Sequence, residues 1–141
     1  MTTVMRILPI AAFALLALGG CSDSTGAEGP LTGEWSYDLL DVRSDGGESC
    51  SFTDIVIRLE QRGRSLSGST GGGFGTCVRD AQQFPAVPLR PASITGQVEG
   101  TRVEFMIGDF LLNQGTAAAE EISGTAAFGP GEEGSFTMSR R

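Results

Sequence analysis

The sequence predicts an all-β, antiparallel fold: an up-and-down meander closing into a small barrel of roughly eight strands. Three observations predict it. From Glu34 onwards apolar and polar residues alternate with a period of two, the pattern of strands with one wet face. Glycine-bearing turns, as in "EQRGRS", "VEGTRV" and "FGPGEEGS", separate the alternating runs. Finally, an aliphatic–hydroxyl–glycine triplet recurs in "LSGS" at Leu66, "ITGQ" at Ile94 and "ISGT" at Ile122, each 28 residues after the one before, with a related "LTGE" at Leu31. That spacing suits one β-hairpin with its connections, and four such units give about eight strands.

The chain opens differently. One positive charge, Arg6, precedes "ILPIAAFALLAL", an apolar run of signal-peptide length and too short to span a bilayer, which takes about 20 helical residues. The run stops at Leu18-Gly19-Gly20-Cys21. These four residues resemble the lipobox of bacterial lipoproteins. The resemblance implies cleavage after residue 20 and a diacylglycerol on the thiol of Cys21, so that residues 1–20 are a lipoprotein signal peptide. It also implies an exported protein held on a membrane by its lipid. Two or three acyl chains exceed the marginal hold of a single one. Ser22 after the cysteine, in place of Asp, resembles outer-membrane sorting in cells with two membranes, on either the periplasmic face or the surface. Residues 21–30 then read as the acylated cysteine and a flexible tether, because "SDSTGAEGP" is small, polar and turn-rich. The barrel domain is expected over residues 31–141.

Each strand group follows from its alternation. Trp35, Tyr37 and Leu39 share one face, as do Ile55, Ile57 and Leu59, then Val103, Phe105 and Ile107, and lastly Phe136 and Met138. No segment after residue 20 sustains a helical period. Within each recurring triplet the aliphatic residue and the glycine lie two apart and therefore share a face. A glycine on the inner face lets a strand coil sharply, as closure of a small barrel requires. Cys50 and Cys77 form an even pair in a chain read as exported, so a disulfide is expected between them. In the chain-entropy model it stabilises the fold by roughly 3–4 kcal/mol.

In "LTGEWSYDL", Leu31 to Leu39, Gly33-Glu34-Trp35 matches the Gly-x-Trp that opens the first strand of lipocalins, and the whole stretch is similar to the opening strand of avidin-type barrels. The resemblance implies that Trp35 plugs one end of the barrel and that a late-strand arginine, here Arg140, packs against it. It does not carry over biotin binding. Tyr37 and Asp41 stand where avidins carry an Asn and a Ser, and Trp35 is the one tryptophan of the chain.

Composition excludes much chemistry. The chain contains no Lys and no His, which removes lysine nucleophiles, the usual general base and the commonest metal ligand. The formal net charge is −7, and loss of Arg6 with the leader makes it −8. So acidic a surface argues against nucleic acid and against electrostatic docking on anionic lipid.

The remaining motifs have simpler explanations than catalysis. "GSTGGGFGTC", Gly68 to Cys77, has no Lys after its glycines and opens no helix, so it reads as a mobile loop and not a phosphate cradle. Asp45 with Glu48, Glu120-Glu121 and Glu132-Glu133 sit in turn-like sequence without the spacing of a calcium loop. "FPAVPLRP" places Pro85, Pro88 and Pro91 three apart and reads as a rigid strap between hairpins.

No catalytic residue, metal site or cofactor is expected. Trp35, Tyr37, Phe105, Phe128 and Phe136 are predicted to point inward and are the candidate ligand-lining residues: an eight-stranded barrel can just hold one small ligand or be filled by side chains, and many inner positions are Gly or Ala, which leaves room. Two functional classes follow. One is a non-catalytic binding module for a small apolar or amphipathic ligand; the other is a structural or interaction lipoprotein with a filled core that meets another envelope protein.

Overall fold

The computed structural model describes residues 29–141. The expected leader, the acylation at Cys21 and most of the expected tether lie outside the described residues.

Ten strands form one antiparallel sheet and no helix occurs among the described residues. They are β1 (Gly33–Arg43), β2 (Ser49–Arg62), β3 (Ser65–Thr70), β4 (Gly75–Arg79), β5 (Gln82–Pro85), β6 (Ala92–Glu99), β7 (Arg102–Ile107), β8 (Leu111–Ala117), β9 (Glu121–Gly129) and β10 (Glu132–Arg140). Their order is β1-β10-β9-β8-β7-β6-β3-β2-β4-β5, and β1 also pairs with β2. That last pairing closes eight strands into a barrel and leaves β4 and β5 outside the ring.

The two extra strands prolong the wall. β3 pairs with β2 over Ile57 to Arg62, while β4 pairs with the same strand over Ser49 to Phe52. β3 and β4 are therefore one line of backbone broken at residues 71–74. The glycine-rich stretch expected to be a mobile loop is this break, with both flanks in ladder: Gly68 belongs to β3 and Cys77 to β4. β5 and β6 make the returning line, joined by residues 86–91 and by the Gly73–Leu89 bridge. β4 and β5 thus form a flap beyond the rim, and "FPAVPLRP" is the strap that leads back from it.

The alternation read from the sequence is the burial pattern. Trp35, Tyr37, Leu39, Ile57, Ile122 and Met138 are fully buried, and Ile55, Leu59, Val103, Phe105, Ile107 and Phe136 nearly so. Outward positions such as Ser36, Glu60, Ser67, Gln97, Gln114 and Ser123 are polar.

Two bulges break the strict period. The register of β1 against β2 slips between Tyr37 and Leu39 and again between Leu39 and Val42. Asp41 and Asp54 take positive φ there, 52° and 55°, and their backbone N–H groups donate to Ser51 Oγ at 3.0 Å and Asp38 Oδ1 at 2.7 Å. Each extra residue reverses which face the residues beyond it occupy. This is why even-numbered Val42 and Phe52 join odd-numbered Leu39 and Ile55 inside.

The recurring triplets also fall as expected. Leu31, Leu66, Ile94 and Ile122 are all buried. A Cβ at Gly68, Gly96 or Gly124 would meet the carbonyl oxygen of Arg58, Glu104 or Gln114 well inside contact distance, so these glycines let neighbouring strands close in. The 28-residue spacing is not a symmetry of the barrel, because β6 runs opposite to β3 and β9.

The two ends differ. At one, the chain enters at Gly29, whose N–H donates to the Gln61 carbonyl at 2.8 Å, and Leu31 packs in as a lid. Gly29 and Pro30, expected in the tether, are therefore already tied to the barrel. At this closed end the indole Nε1 of Trp35 donates to the Leu31 carbonyl at 3.0 Å, and the Arg140 guanidinium lies 4.3 Å from the ring centroid. The arginine also donates to the carbonyl oxygens of Thr32 and Pro30, locking the entering chain over the tryptophan. The Trp–Arg plug expected from the lipocalin resemblance is present. The opposite end, bearing the β1–β2 loop, the flap, the strap and the β7–β8 and β9–β10 turns, is the mouth.

Candidate ligand-binding site

The middle of the barrel is filled. Tyr37 and Phe136 stack with centroids 5.8 Å apart, and Phe105 meets Phe136 edge-on at 5.7 Å. The Tyr37 hydroxyl donates to Asn113 Oδ1 at 2.7 Å, and Asn113 Nδ2 donates to the Leu111 carbonyl at 3.3 Å. Burial pushes the Tyr37 pKa far upward, so the phenol stays a neutral donor. Removing either partner would strand the other in the core, at a cost of about 1–3 kcal/mol.

This corrects the expected lining. Inner glycines read as room for a ligand are instead where strands and rings draw together: a Cβ at Gly115 would press on Phe136, and one at Gly96 on Phe105. Trp35, Tyr37, Phe105 and Phe136 are consequently packing residues with no more than 1% exposure. Of the five candidates, Phe128 alone borders a ligand-sized space.

That space is a cavity of about 390 Å³ at the mouth. Its floor and walls include Val42, Phe52, Phe110, Phe128 and the disulfide, and the strap residues Ala86 to Leu89 complete them. Phe110 and Phe128 lie parallel, 8° apart in plane with centroids at 6.2 Å. Glu48, Ser44, Arg90 and Glu132 supply the polar rim. Glu48 is held by Arg79 at 2.6 Å, which leaves Arg90 and Glu132 as rim charges without an ion-pair partner among the described residues.

The pair Cys50–Cys77 is a disulfide, as expected. The two residues face each other directly across the β2–β4 ladder, with Cα atoms 4.0 Å apart. Glu48 and the two sulfurs lie within 4.8 Å of one another, a grouping that resembles a metal site. The sulfurs are bonded to each other, so the group is a bridge in the cavity wall and offers no thiolate ligand.

Sequence reasoning missed Val42, Phe52, Phe110 and the strap as lining. The first two depend on the bulges, and the strap's position depends on the long β3–β6 ribbon. The consecutive apolar strap residues Ala86 to Leu89 were the signal that could have found the strap.

No family model matches the chain, and no curated protein matches it. Among solved structures, a de novo designed fluorescence-activating β-barrel is similar at 16% identity over 78% of this chain and 93% of that chain, with a TM-score of 0.46.

Proposed function

We propose that this chain is a non-catalytic binding module that holds a small apolar or amphipathic ligand in the mouth cavity. The observation that carries the reading is the cavity itself, an apolar hollow of about 390 Å³ with a polar rim above an otherwise filled core. That volume lies within the range of about 300–1,000 Å³ usual for small-molecule sites, which are mostly apolar with a few polar groups. The absence of Lys and His agrees with binding without chemistry.

Titration with the neutral probe N-phenyl-1-naphthylamine tests this. One saturable site is expected, with enhanced probe emission. Ala86→Phe, which fills the cavity from the strap, should weaken binding at least tenfold while leaving the buried Trp35 emission unchanged. Linear, unsaturable uptake, or equal affinity for both proteins, would overturn the reading.

The module is further proposed to be an exported lipoprotein anchored through Cys21, on the outer membrane where the cell has two. The lipobox resemblance of Leu18-Gly19-Gly20-Cys21 supports this. Cys21→Ser should abolish labelling by an alkynyl fatty acid and leave uncleaved precursor; continued labelling of the variant would defeat the assignment. A second reading, an envelope interaction protein, draws on the exposed apolar residues beside the flap, Phe74 in the break and Val87 in the strap, which are 83% and 86% exposed.

A further inference from the structure

We propose that the Cys50–Cys77 disulfide is the latch of the mouth cavity: reducing it frees the β4–β5 flap, removes one cavity wall and releases the ligand. The inference rests on the cavity being the binding site.

The flap is the least supported part of the sheet. Every ring strand has a hydrogen-bonded neighbour on both sides, whereas β5 is the free edge, and β4 is carried by β2 through four opposed pairs from Ser49–Val78 to Phe52–Gly75. Val78 on β4 is exposed, and so are Phe74 and Val87 where the flap meets the break and the strap. On the barrel side both lines of backbone have a joint: residues 71–73 are three consecutive glycines, and the returning line is the strap. Glycine offers the least resistance to backbone rotation, so this is where the ribbon bends when its tip is released.

Beside the β2–β4 ladder, two side-chain ties hold the tip down. One is the Arg79–Glu48 ion pair, whose side chains are 53% and 24% exposed; so exposed a pair holds weakly. The other is the disulfide, which is covalent and lies at the centre of the four-pair ladder. Cys77 is buried at 2% exposure, while Cys50 is partly exposed and both border the cavity, so a small dithiol can reach the bond from the mouth. The dithiol gives up two electrons and two protons; the Cys50–Cys77 bond breaks to two thiols and the reductant closes to its own disulfide. Ala86, Val87, Pro88 and Leu89 come directly after β5, so freeing the flap withdraws them from the cavity as well.

The closed end provides the control. Trp35 is the chain's one tryptophan and sits at the opposite end of the barrel under Leu31 and Arg140, so its emission reports barrel integrity and not the state of the mouth. N-phenyl-1-naphthylamine affinity, Trp35 emission and amide hydrogen exchange should be measured on the oxidised protein, on the protein after dithiothreitol, and on Cys50→Ala/Cys77→Ala. Reduction and the double variant should each weaken probe binding at least tenfold and raise exchange at residues 75–85 at least tenfold, with Trp35 emission unchanged. Equal probe affinity in all three forms, or unaltered exchange in the flap, would overturn the latch while leaving the binding reading in place. A red shift of Trp35 on reduction would also overturn it, because the bond would then hold the whole barrel. If the oxidised protein binds no probe, the binding reading fails, and flap exchange still decides whether the bond is a latch.

Discussion

Trp35→Ala is expected to destabilise the domain by about 3–5 kcal/mol, the range for deleting a large aromatic side chain from a core. Three losses coincide at this position. The ring is completely buried, so its removal opens a cavity at the closed end. The Leu31 carbonyl loses the indole N–H that satisfies it. Arg140, stacked 4.3 Å from the ring centroid, loses the face that fixes it while it holds Thr32 and Pro30. Urea denaturation followed by far-ultraviolet circular dichroism measures the effect, since the variant has no tryptophan to report. Trp35→Phe should recover most of the burial but not the hydrogen bond, and so fall between the two. A midpoint for Trp35→Ala equal to that of the parent would show that this end is not a packed plug.

Phe136→Ala should cost a comparable amount, about 3–5 kcal/mol, for a different reason. Phe136 is the ring that both Tyr37 and Phe105 touch, at 5.8 Å and 5.7 Å, and it reaches over Gly124 toward Gly115, two strands away. Its loss would leave a hollow in the filled middle of the barrel. Phe105→Ala should couple to it by about 0.5–1.5 kcal/mol in a double-mutant cycle, the usual worth of an aromatic pair beyond its buried area. Strict additivity of the two substitutions would contradict the packing described here.

Much of the barrel was legible because its signals are local. The inward face of β1 could be read from Trp35, Tyr37 and Leu39, and those of β7 and β10 from Val103, Phe105, Ile107, Phe136 and Met138, since a strand exposes its period in a few residues. The Trp35–Arg140 contact was legible from a short motif and one late arginine. The Cys50–Cys77 bridge followed from pairing the two cysteines of the barrel region under the expectation of export. Positions that depend on a bulge were not legible. Asp41 and Asp54 look like ordinary polar strand residues, yet their positive φ turns Val42 and Phe52 inward.

The site was misplaced for a related reason. Inner glycines suggest empty volume when counted residue by residue, but a strand without a Cβ moves toward its neighbour, and the space passes to backbone and to aromatic rings. The cavity arises where strands stop converging, at a mouth walled by the flap, the strap and Phe110. Those pieces are distant in sequence, and the β3–β6 ribbon, the β2–β4 ladder and the Cys50–Cys77 bridge bring them together.

The central claim, an apolar ligand held at the mouth above a filled barrel, is tested most directly by mapping a bound probe residue by residue. In a ¹⁵N/¹³C-labelled sample of residues 29–141 titrated with N-phenyl-1-naphthylamine, saturable shift changes should gather at Val42, Phe52, Ala86, Leu89, Phe110 and Phe128. Trp35, Phe105 and Met138 should stay still. Shift changes centred on those three interior residues, or none that saturate, would contradict the account.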